Sequence, residues 1–212
     1  MTTINQDQAS SGPTVLYAVA CAAPPALHIR TLIRRAVARG WNVCLILTPT
    51  AAKWLEADLP DLEQLTGHPV RWAYKLPGQP DVLPDPGAIM VAPVTANTIN
   101  KWGSGISDNL ALGLITEAIG KRLPLVALPF FNASQAAHPA VPRNVAVLRD
   151  AGVRVLLGEG GYLPHGHGGS RPDQFPWHLA LDALETQLTT GAGAGTSAPD
   201  IAGPAKPASW TL

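Results

Sequence analysis

The chain has 212 residues, 46% of them apolar and 14% charged, with a formal net charge of zero. That length supports one domain with a sizeable core, and the charge balance gives no footprint for nucleic acid or an anionic membrane. Cys21 and Cys44 are the only cysteines and form neither a disulfide framework nor a metal-ligand pattern, and no basic segment followed by an apolar run marks a signal peptide. A cytoplasmic protein without metal, membrane or nucleic-acid partners is expected.

Residues 1–13 are polar and turn-rich and are expected to be disordered, ahead of a domain over 14–188. Thr14–Ala20 is a short apolar run suited to a buried strand, followed by the small-residue loop Cys21–Pro25. Ala26–Arg39 carries Ile29, Leu32, Ile33, Ala36 and Val37 at helical spacing, with Gly40 as the stop. Val43–Leu47 predicts a second buried strand, ending in Thr48-Pro49-Thr50 with a helix from Ala51. Strand, loop, helix and strand in this order mark a parallel α/β sheet.

Val70–Tyr74 is a further candidate strand, and Lys75–Gly87, with its prolines, is an ordered excursion. Ala88–Ala92 predicts a third strand, followed by Pro93–Thr98 as a loop of small polar residues. Asp108 is placed to cap a helix running to about Gly120. Strand Leu125–Leu128, helix Val141–Ala151 with Gly152 as its stop, and strand Val153–Leu157 follow. Gly158–Gly169, containing His165 and His167, has the composition of a mobile flap. Trp177–Leu188 predicts a last helix, and the Gly/Ala/Ser/Pro-rich segment 189–212 is expected to be a disordered tail.

In an open parallel sheet, ligands bind beyond the carboxyl ends of the strands. The loops there offer small residues and the hydroxyls of Thr48, Thr50, Thr95 and Thr98. The chain contains no G-x-G-x-x-G and no G-x-x-x-x-G-K-[ST] pattern, so a mononucleotide fits better than a dinucleotide, with ordinary α/β turns as the alternative.

Several segments carry a resemblance. Ala92-Pro93-Val94-Thr95-Ala96-Asn97-Thr98 resembles the motif A-P-x-S-A-N-T of the flavoprotein family of FMN-dependent cysteine decarboxylases. That family includes phosphopantothenoylcysteine decarboxylase and the peptidyl-cysteine decarboxylases of lanthipeptide pathways. Asn100-Lys101 and Gly105 to Leu110 resemble the motif's continuation, A-K-x-x-x-G-x-x-D-N-L. Pro129 to Asn132 stands where the family has P-A-M-N, His138-Pro139 matches a following H-P, and Leu47 to Lys53 resembles L-T-P-S-A-A-K.

The resemblance implies a three-layer, Rossmann-like (flavodoxin-like) parallel sheet with helices on both faces, assembled as a homotrimer or trimer-based dodecamer. It implies FMN held by Cys21, Ala22, Thr48, Thr50, Thr95, Ala96, Asn97 and Thr98. Asn97 would also orient the substrate carboxylate, and Asn132 and His138 would contact a small-molecule or peptide substrate. The implied reaction is oxidation of a cysteine thiolate by the flavin, followed by loss of CO2.

Two proton-handling positions depart from the family. The catalytic His expected eighteen residues before the motif Asn is Gln79, and the flap Cys position holds His165, the best remaining proton carrier. Peptide-acting members need no flap Cys, so the peptidyl-cysteine branch, in a specialised biosynthetic pathway, is the better match. The alternative is a non-catalytic flavin-binding subunit on the same scaffold.

Overall fold

The computed structural model describes residues 12–166 and 168–191. The disorder expected for residues 1–11 and 192–212, and the reading of His167, fall outside the described residues.

Five parallel strands form one sheet in the order β2-β1-β3-β4-β5. They are β1 (Val15–Ala20), β2 (Asn42–Leu47), β3 (Ala88–Val94), β4 (Leu125–Pro129) and β5 (Arg154–Val155). Every residue of β3 and β4 is buried, as expected for strands covered on both faces. The register runs Val15 opposite Asn42 to Ala20 opposite Leu47, and Leu16 opposite Ala88 on the other side. Alternate residues therefore feed two apolar layers. Leu16, Ala18, Leu45, Met90 and Leu128 face one; Tyr17, Val19, Ile46, Val91 and Ala127 face the other.

The first layer packs under α1 (Ile29–Ala38), α3 (Leu59–Thr66) and α8 (Trp177–Gly191). Ile29, Leu32, Ile33 and Ala36 form the buried stripe of α1, each large side chain contributing roughly 1.5–3 kcal/mol. At its end Gly40 has φ 85°, its N–H reaches the Val37 carbonyl at 2.9 Å, and the Trp41 N–H reaches the Ala36 carbonyl at 3.1 Å. This Schellman closure satisfies carbonyls that the helix leaves open. Arg39 then pairs with Asp182 (2.6 Å) and Glu185 (3.2 Å), tying α1 to α8 at the surface.

The second layer packs under α4 (Ala96–Gly103), α5 (Leu110–Gly120) and α7 (Ala140–Asp150). Gly103 is needed where α4 meets α7, because a Cβ there would lie 2.6 Å from the Asn144 Cβ. Asn144 is buried and donates to the Asn100 Oδ1 at 3.0 Å, so the two helices share a polar link. The short helices α2 (Pro49–Trp54) and α6 (Ala133–Ala136) complete the set, with a 3-10 turn at Pro24–His28 before α1.

Four expectations are corrected. Val70–Tyr74 is not a strand: only Arg71 bridges to Ile46, while Trp72 and Tyr74 are exposed. Asn109, not Asp108, caps α5, its Oδ1 accepting from Leu112 N at 3.1 Å, because Asp108 is engaged by Lys101. The loop expected over Pro93–Thr98 shrinks to Thr95, since β3 runs through Val94 and α4 starts at Ala96. The last helix continues past Leu188 to Gly191. No helix among the described residues is long and apolar enough to cross a membrane.

Candidate functional site

The chain runs from β1 out to β2 on one side and then from β2 back across to β3 on the other side of β1, so the topological switch point lies between β1 and β3. Ligands of open α/β sheets settle outside the carboxyl ends of the strands at such a point. Cys21–Ala23 leaves β1 there, Thr48 leaves β2, and Thr95 leaves β3.

These segments are joined by hydrogen bonds. Cys21 N donates to the Pro93 carbonyl (3.0 Å), and Thr48 N donates to the Ala20 carbonyl (3.0 Å). Cys21 Sγ lies 3.3 Å from Thr98 Oγ1, which lies 3.1 Å from Thr95 Oγ1. Thr95 caps α4 by accepting from Thr98 N at 3.2 Å. Cys21, Thr95 and Thr98 each carry one side-chain hydrogen, one more than the contacts among them use. With Cys21 and Thr95 both donating to Thr98, the spare hydrogen is that of the buried Thr98 hydroxyl.

Further donors stand beside it. The Ala96 and Asn97 N–H groups lie in the first turn of α4, where a helix offers no partner of its own. The Thr48 side chain makes no cap hydrogen bond. Ala22 is half-buried, Asn97 and Thr50 are exposed, and Ala96 is nearly buried. This neutral cradle of small residues and donors fits the phosphate and ring of a mononucleotide, with no carboxylate among its members. Burial pushes the Cys21 thiol above its ordinary pKa, only partly offset by its hydrogen bonds with the Thr98 side chain and the Thr95 backbone. Cys21 is therefore a packed thiol rather than a nucleophile.

A second cluster forms at the ends of β4 and β5. Asn132 caps α6 in a capping box: its Oδ1 accepts from Gln135 N at 2.8 Å, and Gln135 Oε1 accepts from Asn132 N at 3.3 Å. Asn132 also bridges to His165, and Ala133 N donates to the His165 carbonyl at 2.9 Å. The segment expected to be a mobile flap is tied down elsewhere too. Tyr162 N donates to the Leu156 carbonyl at 2.9 Å, and Gly158 N to the Tyr162 carbonyl at 3.1 Å. Gly161 permits this approach, since a Cβ there would lie 2.5 Å from the Leu156 carbonyl oxygen.

Tyr162 and Phe130 were not singled out by sequence reasoning. Tyr162 Oη lies 2.6 Å from His165 Nδ1, and the Phe130 ring centroid lies 5.1 Å from that of His165. Burial raises the Tyr162 pKa. An aromatic residue three positions before a flap His was the available signal. Phe130, Tyr162, Leu163, His165, Arg171 and Phe175 are among the residues lining a cavity of about 220 Å3. A larger cavity, about 310 Å3, lies under the 71–87 excursion and includes none of the expected site residues.

The remaining candidates stand apart. His138 is exposed, and its Nδ1 accepts from Ala140 N at 3.2 Å, supporting the start of α7. Gln79 closes a turn in the excursion, its Oε1 accepting from Leu76 N at 2.9 Å. Trp102 is buried in the core layer beneath α4, with its Nε1 lacking a partner among the described residues.

Fold and switch-point cradle together define an α/β protein with a candidate ligand site at the carboxyl edge of its sheet. The Flavoprotein family model matches residues 4–173, and the chain belongs to that family, which points to a flavin as the nucleotide.

Among curated relatives, the Coenzyme A biosynthesis bifunctional protein CoaBC of Bacillus subtilis is 31% identical over 144 residues, covering 65% of this chain and 34% of that protein. The Phosphopantothenoylcysteine decarboxylase of Mus musculus is 39% identical over 64 residues, covering 30% and 31%. A Cysteine/Cysteine sulfinic acid decarboxylase from an unknown prokaryotic organism is 36% identical over 77 residues, covering 36% and 21%. The chain thus spans between 21% and 39% of the length of the curated relatives it matches.

Among solved structures, the FMN-dependent cysteine decarboxylase TvaF from thioviridamide biosynthesis superposes with a TM-score of 0.63 at 21% identity, covering 82% of this chain and 99% of that one. The epidermin biosynthesis protein EpiD from Staphylococcus aureus gives 0.57 at 24%, covering 66% and 81%. At these identities the structural likeness establishes the fold.

Proposed function

We propose that the protein is an FMN-dependent oxidative decarboxylase of cysteine-containing substrates, with peptides ending in cysteine as its substrate class. The observation that carries this reading is the first turn of α4. It presents an exposed Asn97 beside the spare hydrogen of the Cys21–Thr95–Thr98 cluster, at the switch point between β1 and β3. Membership of the Flavoprotein family and the cysteine decarboxylases among the relatives support it.

Bound FMN supplies the two-electron oxidation of the cysteine side chain that lets its carboxylate depart as CO2. In this reading Cys21, Ala22, Thr48, Thr50, Thr95, Ala96, Asn97 and Thr98 hold the cofactor through hydroxyls, backbone N–H groups and close approach of small residues. The Asn97 amide also donates to the substrate carboxylate and fixes its orientation. Asn132 and His138 edge the substrate site, and His165 handles the proton. Gln79 carries no proton chemistry, being spent on a turn.

The assembly proposed is a homotrimer, or a dodecamer of trimers, and the exposed Trp72, Tyr74, Leu76 and Val82 give the 71–87 excursion an apolar surface for subunit contact. A cytoplasmic location accords with Cys21 and Cys44 being free thiols.

The test uses the full chain loaded with FMN and a set of peptides ending in cysteine. Loss of one CO2 by mass is expected for the wild-type protein. Asn97→Ala is expected to keep the flavin spectrum while turnover falls at least about 100-fold, the scale of removing one preorganised donor. A protein that takes up no FMN, or releases no CO2 from cysteine peptides or from phosphopantothenoylcysteine, overturns the reading.

A further inference from the structure

Hydrogen-bond accounting around Tyr162 assigns a tautomer to His165. Tyr162 Oη lies 2.6 Å from His165 Nδ1 and 3.3 Å from the Phe131 carbonyl oxygen. A phenol has a single hydrogen, and a carbonyl oxygen only accepts. The contact to Phe131 therefore uses the phenol hydrogen. The contact to His165 then forms only if Nδ1 carries a proton and donates it to Tyr162 Oη. With Nδ1–H in place both contacts are made at once. With Nδ1 bare, the phenol turns to it and the contact to the Phe131 carbonyl is given up.

The consequence lies at the other ring nitrogen. In the Nδ1–H form, Nε2 of the neutral ring is a lone pair. Among the described residues Nε2 has no hydrogen-bond partner, and His165 lines the aromatic cavity of about 220 Å3. The ring is fixed by its packing on Phe130 and by the Ala133 N–H on the His165 carbonyl. Among the described residues, the titratable and charged groups lining the cavity with His165 are Tyr162 and Arg171. Arg171 supplies the positive charge that favours an anionic substrate there.

We propose that Tyr162 is a positioning residue that holds His165 as the Nδ1–H tautomer, and that Nε2 is the base that takes the proton from the substrate's cysteine thiol. The inference rests on the decarboxylase reading above and names its base. The S–H bond breaks, an N–H bond forms at Nε2, and the electron pair stays on sulfur as the thiolate. The resulting imidazolium keeps its Nδ1–H on Tyr162 Oη, whose hydrogen remains on the Phe131 carbonyl. His165 thereby takes over the role left open at Gln79, and acts as a base rather than as a stand-in for a proton-donating flap cysteine. The substrate class sharpens accordingly: a free cysteine thiol with an anionic group close by, facing Arg171.

The test has two arms on the full chain. Nitrogen-15 NMR of the histidine rings, with His165→Gln assigning the signals, reads the tautomer directly. Nδ1 protonated and Nε2 bare is the expected result for the wild type, with and without FMN. Tyr162→Phe keeps the aromatic packing and removes the acceptor, so the signals should shift toward the Nε2–H form. In the second arm, CO2 release from a cysteine peptide should fall about 10–100-fold in Tyr162→Phe through kcat, with KM and flavin content unchanged. An Nε2–H ring in the wild type overturns the positioning role. Equal turnover in wild type and Tyr162→Phe, or full turnover in His165→Gln, overturns the base role. Absence of CO2 release from the wild type sinks the decarboxylase reading and the base role with it, while the NMR arm still decides the Tyr162–His165 contact.

Discussion

The switch-point cradle and the flap cluster are built by different means. The cradle uses short side chains and backbone donors at the starts of helices, with Thr95 capping α4 and Cys21 reaching Thr98. The flap cluster uses large aromatic rings, Phe130, Tyr162, Phe175 and Trp177, stacked in sequence with centroids 4.7–6.2 Å apart. A cradle of hydroxyls and N–H groups suits a phosphate-bearing cofactor. A flap held by side-chain packing can change its chemistry while keeping its shape, and the proton carrier proposed there is His165. In the proposed reading the cofactor site is written in backbone and small residues, whereas the proton chemistry is written in a few exchangeable side chains.

The largest blow to the flap region should come from its deepest ring. Trp177→Ala removes a buried indole from under Phe175 and is expected to cost about 3–5 kcal/mol, read as the loss of denaturant midpoint. If the protein loses less than about 1 kcal/mol, the aromatic stack does not support the flap. Gly161→Ala is expected to cost about 1–3 kcal/mol, because the added carbon meets the Leu156 carbonyl.

On the cradle side, Thr98→Val keeps the shape and removes the hydroxyl that joins Cys21 to Thr95. FMN affinity is expected to fall about 5–10-fold, the scale of one hydrogen bond, with little change in melting temperature. An unchanged affinity removes Thr98 from the cofactor site.

The pH dependence sharpens the same contrast. Burial pushes Cys44 from 9.0 to about 11 and Tyr17 from 10.0 to about 12. The folded state therefore keeps protons that the unfolded state releases. Stability is fully present below pH 9 and is expected to fall as pH rises from about 9 to about 12. Cys44→Ala should flatten the lower part of that decline in melting temperature, and an unaltered profile removes Cys44 as its cause.

The smallest effect concerns a helix end at the amino edge of the sheet, just before β4. Arg122 sits at φ 53° where α5 closes, with its N–H on Ile119 and the Leu123 N–H on Ala118. Arg122→Gly is expected to stabilise the protein by about 0.5–1 kcal/mol, as glycine adopts this conformation without strain. A loss of stability in thermal unfolding shows that the arginine side chain does more than tolerate the turn.

Much of the cradle was legible in the chain. Apolar runs marked the strands, periodicity marked α1 and α8, and Gly40 and Gly152 stood at the helix ends they close. Adjacent positions were harder. Asp108 and Asn109 are equally good caps on paper, and the choice fell to Asn109 because Lys101 claims Asp108. Val70–Tyr74 has a strand's composition, but a strand needs a neighbour along its length, and only Arg71 found one.

By itself the sequence determined the parallel sheet, the loops at its carboxyl edge and the motif that places Asn97, because hydrophobic period and turn chemistry are local properties. Only the tertiary structure decided that Thr98 meets Cys21, that Gln79 is confined to a turn, and that Tyr162 stands between His165 and the Phe131 carbonyl. The physical reason is the reach of the interaction. Burial patterns repeat within a few residues, whereas a hydrogen bond between Cys21 and Thr98 exists only once the sheet has brought two distant strand ends side by side.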